Sequence, residues 1–148
     1  IELLEPTDDE IRLATRLEES AAASGLPLDV GESQLCAMTI TRGIAHLVTG
    51  DKRAIAAAEV MTAAVGELLA LAGRVLCLEQ LASHLVSDLG AEEVRRRVCA
   101  EPGVDRSLSI CLSCAGLESG SAFDPAGLVS YAESLRAAAP TLLWKDDS

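Results

Sequence analysis

Three carboxylates stand in a pattern that suits chemistry: Asp29, Glu32 and Asp51. Glu32 falls in the first turn of a helix opened by Gly31. Asp51 follows a short apolar run and opens the next helix. In open α/β sheets, ligands gather at the carboxyl ends of the strands, where helix N-termini also lie. Glu32 and Asp51 are therefore expected to converge on that edge, with Asp29 close by. Converging carboxylates suit a hard divalent cation such as Mg²⁺ or Mn²⁺. Lys52 and Arg53 would touch a phosphate backbone. Each residue also has a plainer use. An acid at Glu32 favours a helix N-terminus through the dipole. Asp51 is an ordinary N-cap, Asp29 a turn or cap residue, and Lys52 and Arg53 solvated charges.

The elements that must position these residues follow from caps and periodicity. Leu3-Leu4 reads as a short extended piece ending at Pro6. Thr7-x-x-Glu10 is a capping box, and Asp8, Asp9 and Glu10 suit the helix dipole. Ile11, Ala14, Leu17 and Ala21 give the helical stripe, and Gly25 ends it. A second helix runs from Gly31 to Gly43. The apolar run Ile44–Val48, bounded by Gly43 and Gly50, reads as a buried strand. An Ala-rich helix is expected from Lys52 to about Leu71, then a strand over Arg74–Leu78. After it the pattern is helical: Glu79–Leu89, Ala91–Ala100, Asp105 to about Leu117, a loop over Glu118-Ser119-Gly120-Ser121, and a last helix capped by Asp124 and ending at Ala139.

Other reactive side chains read as structural. His46, inside an apolar run, is expected in the core. Arg95-Arg96-Arg97 is the only basic cluster, and Glu92 and Glu93 one turn earlier can pair with it. The five cysteines, an odd number with no signal-peptide pattern, point to a reducing cytoplasm and to small buried hydrophobes. Cys111-Leu112-Ser113-Cys114 is a C-x-x-C, but His46 and His84 fall in other predicted elements, so no zinc site is expected.

The stretch from Gly31-Glu32 through Gly43 and Leu47-Val48 to Thr49-x-Asp51 resembles the PIN-domain family, metal-dependent ribonucleases that include VapC-like toxins. Leu3-Leu4-Glu5-Pro6-Thr7 and its acid-started helix resemble the segment preceding this motif. The likeness spans residues 1–65 and implies several acids binding Mg²⁺ or Mn²⁺ for hydrolysis of RNA phosphodiesters. On this likeness Glu32 and Asp51 would be two of them, with Asp29 assisting and Thr49 orienting the loop or a phosphate. The family's remaining acids belong to a strand and helix upstream of Leu3-Leu4. The expected fold is thus α/β: a PIN-like parallel sheet flanked by helices over residues 1–78, its N-terminal part missing, then a mainly helical region over 79–148. Without those acids, the same scaffold would act as an interaction or regulatory module.

The bulk properties narrow the field further. The chain has 148 residues and a net charge of −11. Hydrophobic residues make up 49%, which excludes a disordered chain, while aromatics make up 2%, which argues against stacking on single-stranded nucleic acid. No apolar run reaches the roughly 20 residues of a membrane helix. The expected partners are an RNA substrate, an antitoxin-like protein, and a second copy of the chain, because an incomplete sheet exposes an edge that tends to pair.

Overall fold

The computed structural model describes residues 3–116 and 124–145. The chain is mixed α/β and mainly helical, with a two-stranded parallel sheet. It divides into two compact units: Ile1–Leu76 with Ala138–Ser148, and Cys77–Ala137.

Unit 1 begins with helix α1 (Asp8–Ser24), whose capping box forms as expected: Thr7 Oγ1 accepts from the Glu10 N–H, and the Glu10 carboxylate accepts from the Thr7 N–H. Gly25 closes α1 at φ 64°, in the left-handed region that favours glycine. The buried stripe is Glu10, Ala14, Leu17 and Ala21, and α1 packs along α2 (Val30–Thr41). Ala14, Ala21 and Ala37 keep that interface thin.

Strand β1 is Leu47–Thr49, not Ile44–Val48. The first residues of the apolar run are engaged elsewhere. The Ile44 N–H closes the end of α2 on the Thr39 carbonyl, and the Ile44 and Ala45 carbonyls accept from the Arg74 guanidinium. Ladder pairing starts only where Leu47 donates to the Arg74 carbonyl. Strand β2 is Val75–Cys77.

The long helix expected to reach Leu71 stops at Met61. It is α3 (Lys52–Met61), followed by a 3-10 helix over Gly66–Leu71. Val65, Leu68 and Leu71 are all buried, and their spacing of three residues matches a 3-10 helix rather than an α-helix.

No strand forms at Leu3-Leu4, and Leu3 is 91% exposed. A third backbone joins β2 from the other end of the chain instead. Leu143 bridges Val75 in parallel: the Val75 N–H donates to the Leu142 carbonyl, and the Trp144 N–H to the Val75 carbonyl. On α3, the Glu59 carboxylate accepts from the N–H groups of Thr141 and Leu142 at 2.8–3.2 Å, holding this segment in place.

Unit 2 contains α4 (Leu78–Leu89), α5 (Ala91–Val98), α6 (Arg106–Cys111), a 3-10 turn over Cys114–Gly116, and α7 (Ala126–Ala138). Asp105 caps α6 by accepting from the Leu108 N–H. Ala82, Val94, Leu108, Cys111, Leu112 and Leu128 form its core. The helix expected from Asp105 to about Leu117 stops at Cys111, where the chain turns into the 3-10 segment; Leu117 and the loop at Glu118–Ser121 lie outside the described residues. Cys99 and Cys114 form a disulfide, contrary to the expectation of thiols throughout. The turn after α6 brings their Cα atoms to 5.2 Å, inside the span a disulfide bridges. Cys36, Cys77 and Cys111 are buried thiols. No helix among the described residues is long and apolar enough to cross a membrane.

Candidate functional site

The carboxyl edge of β1 carries the residues singled out from the sequence. Thr49 ends the strand, and its Oγ1 accepts from the Asp51 N–H at 3.2 Å. Asp51 then caps α3, its Oδ1 accepting from the N–H groups of Arg53 and Ala54 at 2.9 and 3.1 Å. Burial works to raise the Asp51 carboxyl. The Ala54 N–H, the Arg53 side chain and the Arg53 N–H outweigh it and hold the group below the usual carboxylate range. Arg53 pairs with Asp51 at 3.4 Å and is otherwise exposed.

Glu32 reaches this edge from α2. Asp29 is the N-cap of that helix and accepts from the Glu32 N–H at 3.1 Å. A hydrogen bond between the Asp29 and Glu32 side chains holds the Asp29 carboxyl below its usual range and the Glu32 carboxyl above it. Partial burial and the charges of Asp29 and Asp51 raise Glu32 further. Negative charge is therefore concentrated where α2 and α3 begin.

Glu32 and Thr49 both line a small apolar cavity with Leu28, Cys36, Leu47 and Val75. Its volume is about 20 Å³, room for a single water. Burial, and secondarily the Glu32 charge, push the Cys36 thiol up to about 12. It therefore stays protonated and offers no thiolate to a soft metal. The donors at this edge are two carboxylates and a hydroxyl, all hard oxygens of the kind Mg²⁺ and Mn²⁺ take. Among the described residues, no group of three or more His, Cys, Asp and Glu is placed to hold a metal ion.

Of the remaining candidates, His46 and Arg95 are placed differently from expectation, while Arg96 and Arg97 pair with Glu93 as expected. His46 is exposed, not in the core, and meets Trp144 edge-on with ring centroids 6.4 Å apart. Arg95 is buried and donates to the Ser113 carbonyl, while Arg96 and Arg97 both pair with Glu93. The arginine run is thus bound up within unit 2. One group at the sheet edge was absent from the sequence reading: Lys145, two residues past the Leu143 bridge, follows the third parallel backbone. Its only local signal is the brief apolar run Leu142-Leu143-Trp144, too short to read as a strand. Set against protein-family models, curated proteins and solved structures, the chain matches none.

Proposed function

We propose that unit 1 is a PIN-like domain acting in divalent-metal-dependent hydrolysis of RNA, with Glu32 and Asp51 as its metal-binding acids and Asp29 supporting Glu32. One observation carries this reading. Glu32 from α2 and Thr49–Asp51 from β1 sit at a common sheet edge, close enough for the Asp51 charge to raise the Glu32 carboxyl. A bound Mg²⁺ or Mn²⁺ would relieve that repulsion, and when bound it supplies water activation and charge stabilisation at phosphorus. Asp51 Oδ1 holds α3, which leaves Oδ2 toward solvent and Arg53. Thr49, Lys52 and Arg53 stand at the same helix start, where positive side chains favour a phosphate.

The test is cleavage of single-stranded RNA with Mn²⁺ by the full chain. Glu32→Gln and Asp51→Asn are each expected to lose roughly a hundredfold or more of the rate while keeping the fold. Unchanged cleavage in both variants overturns the assignment.

A second reading, an interaction module built on the same scaffold, is favoured by the occupation of these acids: Asp29 and Asp51 both cap helices, and the described residues gather no three-donor group. It predicts no heat on titrating Mn²⁺ into the protein. In either reading a second copy is the expected partner. Among the described residues β1 pairs on one side only, with Val48 39% exposed at that edge. Light scattering at the mass of a dimer supports this, and a monomer overturns it. An antitoxin-like protein is the further partner proposed for the nuclease reading.

A further inference from the structure

Unit 2 holds four of the five cysteines, and three of them form one cluster. Cys111 belongs to its buried core, and the joined pair Cys99 and Cys114 packs against that core. Cys111 and Cys114 are separated by two residues at the end of α6, where the helix gives way to a 3-10 turn. Between them Ser113 adopts φ 51°, a left-handed backbone that a residue with a Cβ seldom takes. Its carbonyl is held by the buried Arg95 guanidinium at 2.9 Å. Such backbone outliers cluster at switch regions. The disulfide also lines a surface groove of about 560 Å³ with Pro102, Arg106, Ser109 and Ile110.

We propose that this cluster is a disulfide-exchange site, in which Cys111 displaces Cys99 from Cys114. The step is an isomerisation and consumes no oxidant or reductant. Cys111 loses its proton to solvent, and its sulfur attacks Cys114 Sγ. The Cys111–Cys114 bond forms as the Cys99–Cys114 bond breaks, and Cys99 leaves as a thiolate that takes up a proton. A link closing the chain from the end of α5 to the 3-10 turn is exchanged for one local to a C-x-x-C. The Cys99 thiol is left at the groove, open to alkylation or to a low-molecular-weight disulfide. Cys111 is covered by α7: a Cβ at Gly127 would lie 3.6 Å from the Cys111 Cα. Exchange therefore requires α7 to lift, and its rate reports that opening.

The test uses the full chain without reductant, incubated at rising pH, trapped with N-ethylmaleimide and digested with trypsin. Cleavage after Arg97, Arg106 and Arg136 puts Cys99 in peptide 98–106 and both other cysteines in peptide 107–136. Before exchange the two peptides are linked. The expected product is peptide 98–106 alkylated on Cys99, with peptide 107–136 carrying an internal disulfide, its yield rising with pH as the thiolate fraction grows. Cys111→Ala, a small apolar replacement for a buried thiol, is expected to lower the yield of Cys99-alkylated peptide 98–106 by roughly tenfold or more, and Cys111→Ser to do the same. Linked peptides persisting at every pH overturn the proposal. So does alkylated Cys99 appearing equally in both Cys111 variants, since Cys36 or Cys77 would then be the attacking thiol. The readout involves neither metal nor RNA, so it stands apart from the nuclease reading.

Discussion

Arg42, at the C-terminal end of α2, donates from Nε and Nη2 to both carboxylate oxygens of Glu10, in the first turn of α1, at 2.7 and 2.8 Å. Glu10 is only 2% exposed and also accepts the Thr7 N–H. One carboxylate thus completes a capping box and ties the start of one helix to the end of the next. Arg42 reaches on to the Glu5 carbonyl, so the chain before α1 is fixed by the same fork.

This pair sets an acid limit on unit 1. The Arg42 hydrogen bonds, followed by the Thr7 N–H, bring the Glu10 carboxyl down to about 2. A depressed carboxyl adds stability above the unfolded value of about 4.3 and loses it as pH falls through the folded value. Thermal melting of the wild type is therefore expected to drop between about pH 4 and pH 2. Glu10→Gln melts lower at pH 7, because the buried carboxylate that pairs with Arg42 is lost, and shows a shallower decline over that acid range. Parallel acid limbs in the two proteins would falsify the role of Glu10.

Glu32 works in the opposite sense. Its carboxyl is raised, first by the hydrogen bond with Asp29 and then by burial and nearby charge. A raised acid favours the fold below its unfolded value and loses that contribution as pH rises through the raised one. Ionised Glu32 thus opposes folding at neutral pH, while the lowered Asp29 carboxyl contributes in the reverse direction. Glu32→Gln is expected to raise the melting temperature at pH 7, with the gain fading by pH 4. On the nuclease reading, saturating Mn²⁺ stabilises the wild type more than Glu32→Gln, because binding to the folded state alone shifts melting. Equal shifts in both proteins remove Glu32 from the metal site.

Local signals made part of this architecture legible and long-range ones hid the rest. Thr7 with Glu10, Gly25, Asp29, Asp51 and Asp105 each act on a neighbour two to five residues away, so cap and helix start could be read together. The boundary of β1 could not, because Arg74 takes the Ile44 and Ala45 carbonyls from 30 and 29 residues away. The third backbone of the sheet was hidden for the same reason. Leu142-Leu143 is a two-residue apolar signal, made into sheet by Val75 and Glu59. At the candidate site, spacing placed Glu32 and Asp51 on one edge. The side-chain hydrogen bond between Asp29 and Glu32 emerged only with coordinates.

The Glu59 clasp gives a direct test of that third backbone. Its carboxylate satisfies two consecutive N–H groups before Leu143 enters the sheet. Glu59→Ala leaves both donors to solvent and is expected to cost about 1–3 kcal/mol, as hydrogen bonds to a charged group do. Hydrogen exchange should accelerate at Thr141, Leu142, Trp144 and Val75, while the α1 amides keep their protection, since local opening needs only the segment's own contacts. Uniform acceleration across unit 1 would show instead that the clasp belongs to its global stability.

Asp51 separates structure from chemistry most cleanly. Its Oδ1 receives two amide N–H groups, a task that an asparagine carbonyl performs equally well. Asp51→Asn is therefore expected to melt close to the wild type at pH 7, while Asp51→Ala loses about 1 kcal/mol. The wild-type carboxyl lies below its ordinary range, so its stabilisation is present above about pH 3.9 and fades as pH falls. The asparagine cap does not titrate, and near pH 3 Asp51→Asn should match or exceed the wild type. Against this unchanged fold, the cleavage assay has one meaning. Activity lost in Asp51→Asn requires the carboxylate charge itself, which a cation at the sheet edge demands and a helix cap does not. Activity retained in that variant leaves Asp51 as a cap alone.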